Sequence, residues 1–310
     1  MRELPPSACA GWDRDGLLAS PWFRSLAPVI AELPGAVFPE ADRLSALALA
    51  RGVVSGGGVP LRFVPHDAGA DSSAIAYERR IHQQGLVSTR PGDLHDLFNA
   101  LVWLGWPGTK ATLNRLHERE IAKAPYPLPQ GVRGTARDVL TLFDEGGIVV
   151  ASADAELAGL LAGFRWKELF VQRRREVIER MRFHVFGHAI HERTLAPFRG
   201  VTAKALVLEV DDAFLRLPLA EEIAVLDARA AEHFARAGSL ASTRALAPLP
   251  VLGIPGWTAA NEDPAYYDDV GHFRPGRRSD RGTAKCGASR EPPASALRPA
   301  APRPAIERAR

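Results

Sequence analysis

The stretch HDLFNALVWLGWPGTK, residues 95–110, decides how this chain is read. It is apolar enough for a core helix. Yet His95, Asp96 and Asn99 interrupt it, two tryptophans follow, and Lys110 stands just past a Pro-Gly break. Asp93 can cap the helix start, because an Asx side chain accepts from the first free amides. At the α-helical turn angle, His95, Asn99 and Trp103 fall within about 80° of one another. Leu94, Phe98, Leu101 and Val102 take much of the opposite side. The helix therefore has one apolar face and one stripe of hydrogen-bonding groups. Two readings stand: a catalytic stripe, or a core helix whose polar groups cap, meet a neighbouring helix or face water.

Working outward, helical periodicity dominates. Helices are expected over 40–51, over AIAYERRIHQQ up to Gly85 at a left-handed C-cap, and over 109–123. Thr135 and Asp138 resemble a capping box before RDVLTLF. Ser152 or Asp154 should cap ADAELAGLLAGF. Residues 166–198 read as one long helical stretch broken near Arg182, and PLAEEIAVLDARAAEHFARAG as an amphipathic helix ending at Gly238. Short strands are expected at Leu61–Val64, IVVAS and Lys204–Val210. Leu246 to Arg274 is extended and turn-rich, with Asp263 and Pro264 as the cap and first residue of a single turn. The expected fold class is mainly α with a minor β component (α+β). A single compact helical domain over residues 1–278 precedes a disordered Pro/Ala/Arg-rich basic tail over 279–310.

Composition narrows the classes. With 310 residues, 46% hydrophobic and 24% charged, the chain can build a sizeable core. The start, MRELPPSACAGWDRDG, has no apolar h-region, so no secretory signal is expected and the default location is cytoplasmic. The longest charge-free run, Ala245 to Asn261, carries three prolines and cannot be a membrane helix. Cys9 and Cys286 are the only cysteines, which excludes a disulfide framework or a Cys-rich zinc site. The net charge is +3, but the segment from Arg274 to Arg310 holds ten Arg/Lys and three Asp/Glu, leaving −4 for the rest. A nucleic-acid footprint on the body is therefore disfavoured, and only the basic tail could serve as one. GxGxxG, GxxxxGK[ST], GxSxG and CxxC are all absent, which disfavours a Rossmann dinucleotide site, a P-loop NTPase and an ordinary α/β-hydrolase and leaves the cofactor unknown.

Further constellations stand out. In FHVFGHAIHE, His184, His188 and His191 are spaced i, i+4, i+7, which on one helix would face a divalent metal together. The alternative is aromatic packing, and the pattern is not HExxH. His188, flanked by Gly187 and Ala189, has the most room to act. In LFDEGG, Asp144 and Glu145 sit at a helix C-terminus, where the macrodipole disfavours negative charge, so an Arg, a Lys or a metal should compensate. Arg137 or an Arg of VQRRRE would suffice. Trp166 and Lys167 in FRWKELF, and Trp257 and Asn261 in IPGWTAANED, could line a ligand pocket or pin a Pro-rich loop.

Several strings carry a resemblance: YERRI, HDLFNALVWLGWPGTKATLN, RDVLTLFDEGGIVVAS, FRWKELF, FGHA and PLPVLGIPGWTAANEDPAYYDD with the trailing FRP. These resemble a bacterial family, the domain of unknown function 3025, over about residues 10–278. The resemblance implies one integral domain and carries no activity, cofactor or catalytic residue.

Three functions remain in play. The first is a small-molecule enzyme of hydrolase or transferase type. His95 or His188 would be its base, Asp96 and Asn99 would orient, and Lys110 or Lys167 would stabilise anionic charge. Trp103, Asp144, Glu145, Trp166, Trp257 and Asn261 would contact its ligand. The second is a divalent-metal protein built on His184, His188 and His191. The third is a non-enzymatic helical binding module tethered by its tail.

Overall fold

The computed structural model describes residues 12–35, 37–67, 71, 73–123 and 134–276. It is 56% helical and 13% strand, a mainly helical α+β fold. The tail over 279–310 lies outside the described residues.

Two short helices, α1 (Arg14–Ala19) and α2 (Ala27–Ile30), flank a 3-10 segment, Pro21–Leu26. Then come α3 (Ala41–Ala50), β1 (Arg62–Pro65), α4 (Ala74–Gln84) and β2 (Leu86–Thr89). β1 and β2 pair in parallel as a small sheet. α4 stops at Gly85, whose φ of 69° is the left-handed conformation that costs glycine nothing.

The opening stretch forms α5 (Leu94–Gly105), capped by Asp93 through the Asp96 amide, and runs almost directly into α6 (Pro107–Lys123). Proline suits that first position, where its missing N–H has no intrahelical partner to lose. The other free amides at the start of α6 are capped from far away. The Asp227 carboxylate accepts from Gly108 N at 2.8 Å and Thr109 N at 2.7 Å. Asp227 belongs to α11 (Leu219–Ala235).

Between them lie α7 (Thr135–Gly146), β3 (Gly147–Ser152), α8 (Ala155–Ala162), α9 (Arg174–Arg180), β4 (Met181–Val185), α10 (His188–Arg193) and β5 (Thr202–Glu209). β6 (Ala247–Pro250) follows α11. The second sheet has the order β4-β3-β5-β6, parallel only between β3 and β5. β3 is buried at every position, as its unbroken apolar run requires of a central strand. Trp103, Trp106, Phe98, Phe143, Phe186 and Phe234 are among the largest side chains buried in the core. Each contributes about 1.5–3 kcal/mol relative to an exposed side chain. Phe143 stacks on Phe186 at 4.8 Å and meets Phe234 at 4.7 Å, which locks α7 to the sheet and to α11.

Four expectations need correction. Residues 166–198 are not one broken helix: Glu168–Gln172 is a π-turn, α9 is short, and β4 and α10 follow. Met181, Phe183 and Val185 alternate on the strand period, and pairing with β3 outweighs their helical neighbours. Thr135 is the first residue of α7 rather than its cap, and Gly134 precedes it without a side-chain bond. β2 was not expected, nor was β6, which crosses a Pro-rich edge where missing amides cost little.

Candidate functional site

A single glycine sets the site. Phe186 N and Gly187 N both donate to the Gly147 carbonyl, at 3.0 and 2.8 Å. A Cβ on Gly187 would stand 2.3 Å from the Glu145 carbonyl oxygen and 2.5 Å from Gly147 N. The chain between β4 and α10 can thus press onto the α7–β3 junction only as glycine. That approach carries His188, the next residue, against Asp144.

From there a string of polar groups crosses five helices. His188 Nδ1 lies 3.8 Å from Asp144 Oδ2, an electrostatic contact longer than a hydrogen bond. The other oxygen, Oδ1, accepts from Lys110 Nζ at 2.6 Å. Lys110 Nζ also donates to Asn99 Oδ1 at 2.9 Å and sits 5.2 Å from the centre of the Trp103 ring. Asn99 Nδ2 donates to the Tyr77 hydroxyl at 2.9 Å. Lys110, Asn99 and Trp103 are all buried. Asp144, at the C-terminal end of α7, therefore receives its compensating cation from Lys110 rather than from an arginine.

The charges shape one another. Burial alone would raise the Asp144 carboxyl, but the Lys110 ammonium and His188 outweigh it and hold it below the ordinary carboxylate range. Burial pushes the His188 imidazole down to about 4, against the pull of Asp144. Burial raises the Tyr77 hydroxyl, helped by the charges of Glu78 and Asp144, so it stays neutral. Tyr77, Trp103, Lys110, Asn114, His117 and Asp144 wall a cavity with room for little more than one water molecule.

At its outer end the string reaches solvent. The His95 ring meets His188 edge-on at 4.6 Å between centroids. His95 Nδ1 bonds Glu192 Oε2 at 2.9 Å, and both side chains are more than a third exposed. A carboxylate on Nδ1 fixes the tautomer and leaves Nε2 to act on a substrate, the arrangement that makes imidazole a general base.

The structure thus brings together His95, Asn99, Trp103, Lys110, Asp144 and His188. It separates the other candidates. Asp96 is held by Arg90, through Nε at 2.8 Å and Nη2 at 2.9 Å, and does not orient either histidine. Glu145 is exposed, with no side-chain partner among the described residues. Trp166 donates to the Arg274 carbonyl at 2.9 Å, and Lys167 pairs with Asp268. Trp257 packs edge-on against Trp22 at 4.9 Å. Asn261 donates to the carbonyls of Leu252 and Ile254 and accepts from Arg174. These side chains pin the C-terminal loop, and none of their contacts reaches the cluster.

The three histidines do not share a helix face. His184 lies on β4 and bonds Glu222 Oε1 at 2.6 Å. His191 is buried against Phe23 and Phe98. Only His188 reaches the cluster. Among the described residues, no group of three or more His, Cys, Asp or Glu side chains is placed to hold a metal ion.

Sequence reasoning set Glu192 beside the three histidines of FHVFGHAIHE rather than opposite His95, and missed Tyr77, Asn114 and His117. A signal existed for two of them. Lys110, Asn114 and His117 are spaced i, i+4, i+7, one face of α6. Asn114 also ties this face to α4, donating to the Glu78 carbonyl and carboxylate at 2.9 and 2.8 Å.

Comparison with known proteins adds a family and nothing more specific. No curated protein and no solved structure matches the chain. The family model described as "Protein of unknown function (DUF3025)" matches residues 61–277. That span contains every member of the cluster, from Tyr77 to Glu192, and the chain belongs to the DUF3025 family.

Proposed function

We propose that the chain is a small-molecule enzyme of hydrolase or transferase type, with His95 as general base. The observation that carries this reading is the His95–Glu192 pair at 2.9 Å, at the mouth of the buried His188–Asp144–Lys110 string. Glu192 orients the base. His188 supports its ring from behind. Lys110 and Asp144 form a fixed dipole that needs no rearrangement as charge develops nearby. The cavity at Lys110 is too small for a substrate, so reaction belongs at the outer end. Tyr77 also lines a shallow pocket of about 180 Å³ with His66, Asp67, Asp71, Arg80, Ser88, Arg90 and Asp96. Arg80 donates only to Ser88 there and forms no ion pair among the described residues.

The test is turnover of p-nitrophenyl acetate and p-nitrophenyl phosphate by the full chain, by His95→Gln and by Glu192→Gln. Both side chains are exposed enough for the variants to fold. Loss of about 10²–10⁴-fold in kcat/KM for His95→Gln, with a smaller loss for Glu192→Gln, is expected. Equal turnover by wild type and His95→Gln, or none by wild type above buffer, would overturn the reading.

A further inference from the structure

A second cleft lies away from this cluster, between α9, β4 and the turn at residues 254–257, with a volume of about 360 Å³. That is within the range of ligand pockets. Its apolar surface comes from Met181, Phe183 and Trp257, with Ile178 on the rim. Ile178 is 57% exposed, although it is a large aliphatic side chain beside an aromatic floor. Two guanidinium groups, Arg24 and Arg182, complete the lining.

The charge there is one-sided. Arg182 donates from Nη1 to the carbonyls of Ile178 at 3.3 Å, Glu179 at 3.4 Å and Met181 at 2.9 Å, and from Nη2 to the Leu215 carbonyl at 3.3 Å. It is fixed by carbonyls and has no carboxylate partner among the described residues. Arg24 is half exposed, and its one acidic neighbour, Glu222, is 3.6 Å away. Glu222 is itself buried and bonded to His184 at 2.6 Å. No acidic side chain lines the cleft. A larger groove near the end of β5 differs in this respect, because Glu209 and Asp211 oppose Arg229 there and select no ligand charge.

We infer that this cleft binds a small amphiphilic carboxylate, with its apolar body on Phe183 and Trp257 and its head between Arg24 and Arg182. The planar fork of arginine matches a carboxylate and loses less hydration on pairing than an ammonium does. The rim isoleucine covers the middle of the ligand. Alkyl and aryl bodies share this chemistry, and the probes separate them.

Calorimetric titration of the full chain with octanoate and phenylacetate, and with 1-octanol and phenylacetamide as neutral counterparts, tests the site. Saturable 1:1 binding of one or both acids is expected, about tenfold or more tighter than the neutral counterpart. Arg24→Gln should weaken the acid about tenfold and leave the neutral compound unchanged. Ile178→Asp, on an exposed position that tolerates the change, should weaken the acid further by adding a like charge. Octanoate alone binding marks an alkyl ligand, and phenylacetate alone an aryl one. Equal affinity for acid and neutral counterpart, no effect of Arg24→Gln, or no saturable binding in the millimolar range would each overturn the assignment.

Discussion

His191 packs against the rings of Phe23 and Phe98, with centroids 5.4 and 5.9 Å away, and neither of its ring nitrogens has a hydrogen-bond partner. Burial pushes its imidazole down to about 3, against the pull of the Val185 carbonyl. In the unfolded chain the same ring titrates at about 6.5. Between pH 7.5 and 5.0 the unfolded state therefore takes up a proton that the native state refuses, and stability falls as pH falls. The loss is about 2 kcal/mol over that interval. His188, held down to about 4, adds a similar amount in the same direction. Asp144 does not interfere: its carboxyl is held low, so its contribution is present above the unfolded carboxylate value and lost only below it. His191→Leu removes the contribution of that one ring and replaces two unsatisfied nitrogens with apolar atoms. It should leave the protein at least as stable at pH 7.5 and reduce the loss on going to pH 5.0 by about 2 kcal/mol. Urea unfolding of both proteins at the two pH values measures this directly. A pH 5.0-to-7.5 difference that is the same in both, within about 0.5 kcal/mol, would refute the claim that His191 is buried neutral.

Two further substitutions probe the buried string. Lys110→Met should destabilise by about 3–5 kcal/mol, because Asp144 then lacks its cation, whereas Lys110→Met with Asp144→Leu should cost less than the sum of the single changes. A double-mutant cycle by urea unfolding checks this, and strict additivity would show that the pair is not coupled. Gly187→Ala should cost about 1–3 kcal/mol in the same assay, since its methyl group meets the Glu145 carbonyl. It should also shift the NMR resonances of His188, and an unchanged His188 spectrum would contradict the role given to that glycine.

The legible parts of the fold were those written in local chemistry. Asp93 announced the start of α5, Gly85 the end of α4, and Asp263 with Pro264 the turn over Pro264–Asp268, because a cap or a φ restriction acts within four residues. The stripe His95, Asn99, Trp103 was legible for the same reason, as helical spacing fixes it. Its partners were not. Lys110 and Asp144 are 34 residues apart, His95 and Glu192 are 97 apart, and no local pattern ties them. β4 was misread because Met181 to Val185 sits between helix-forming runs, and only pairing with β3 makes it a strand. That one misreading also produced the histidine triad, since a 3.6 period was applied to a segment that has a period of two at His184.

The remote cap on α6 carries a consequence for synthesis. Asp227 is 118 residues beyond Thr109 along the chain. At 5–20 residues per second, roughly 6–24 s separate the emergence of the helix start from that of the carboxylate that finishes it. Throughout that interval the amides of Gly108 and Thr109 lack the carboxylate that caps them in the fold. A ribosome pausing before residue 227 would therefore hold Lys110 on a helix whose first turn is still open, and the final commitment of this half of the molecule waits on α11.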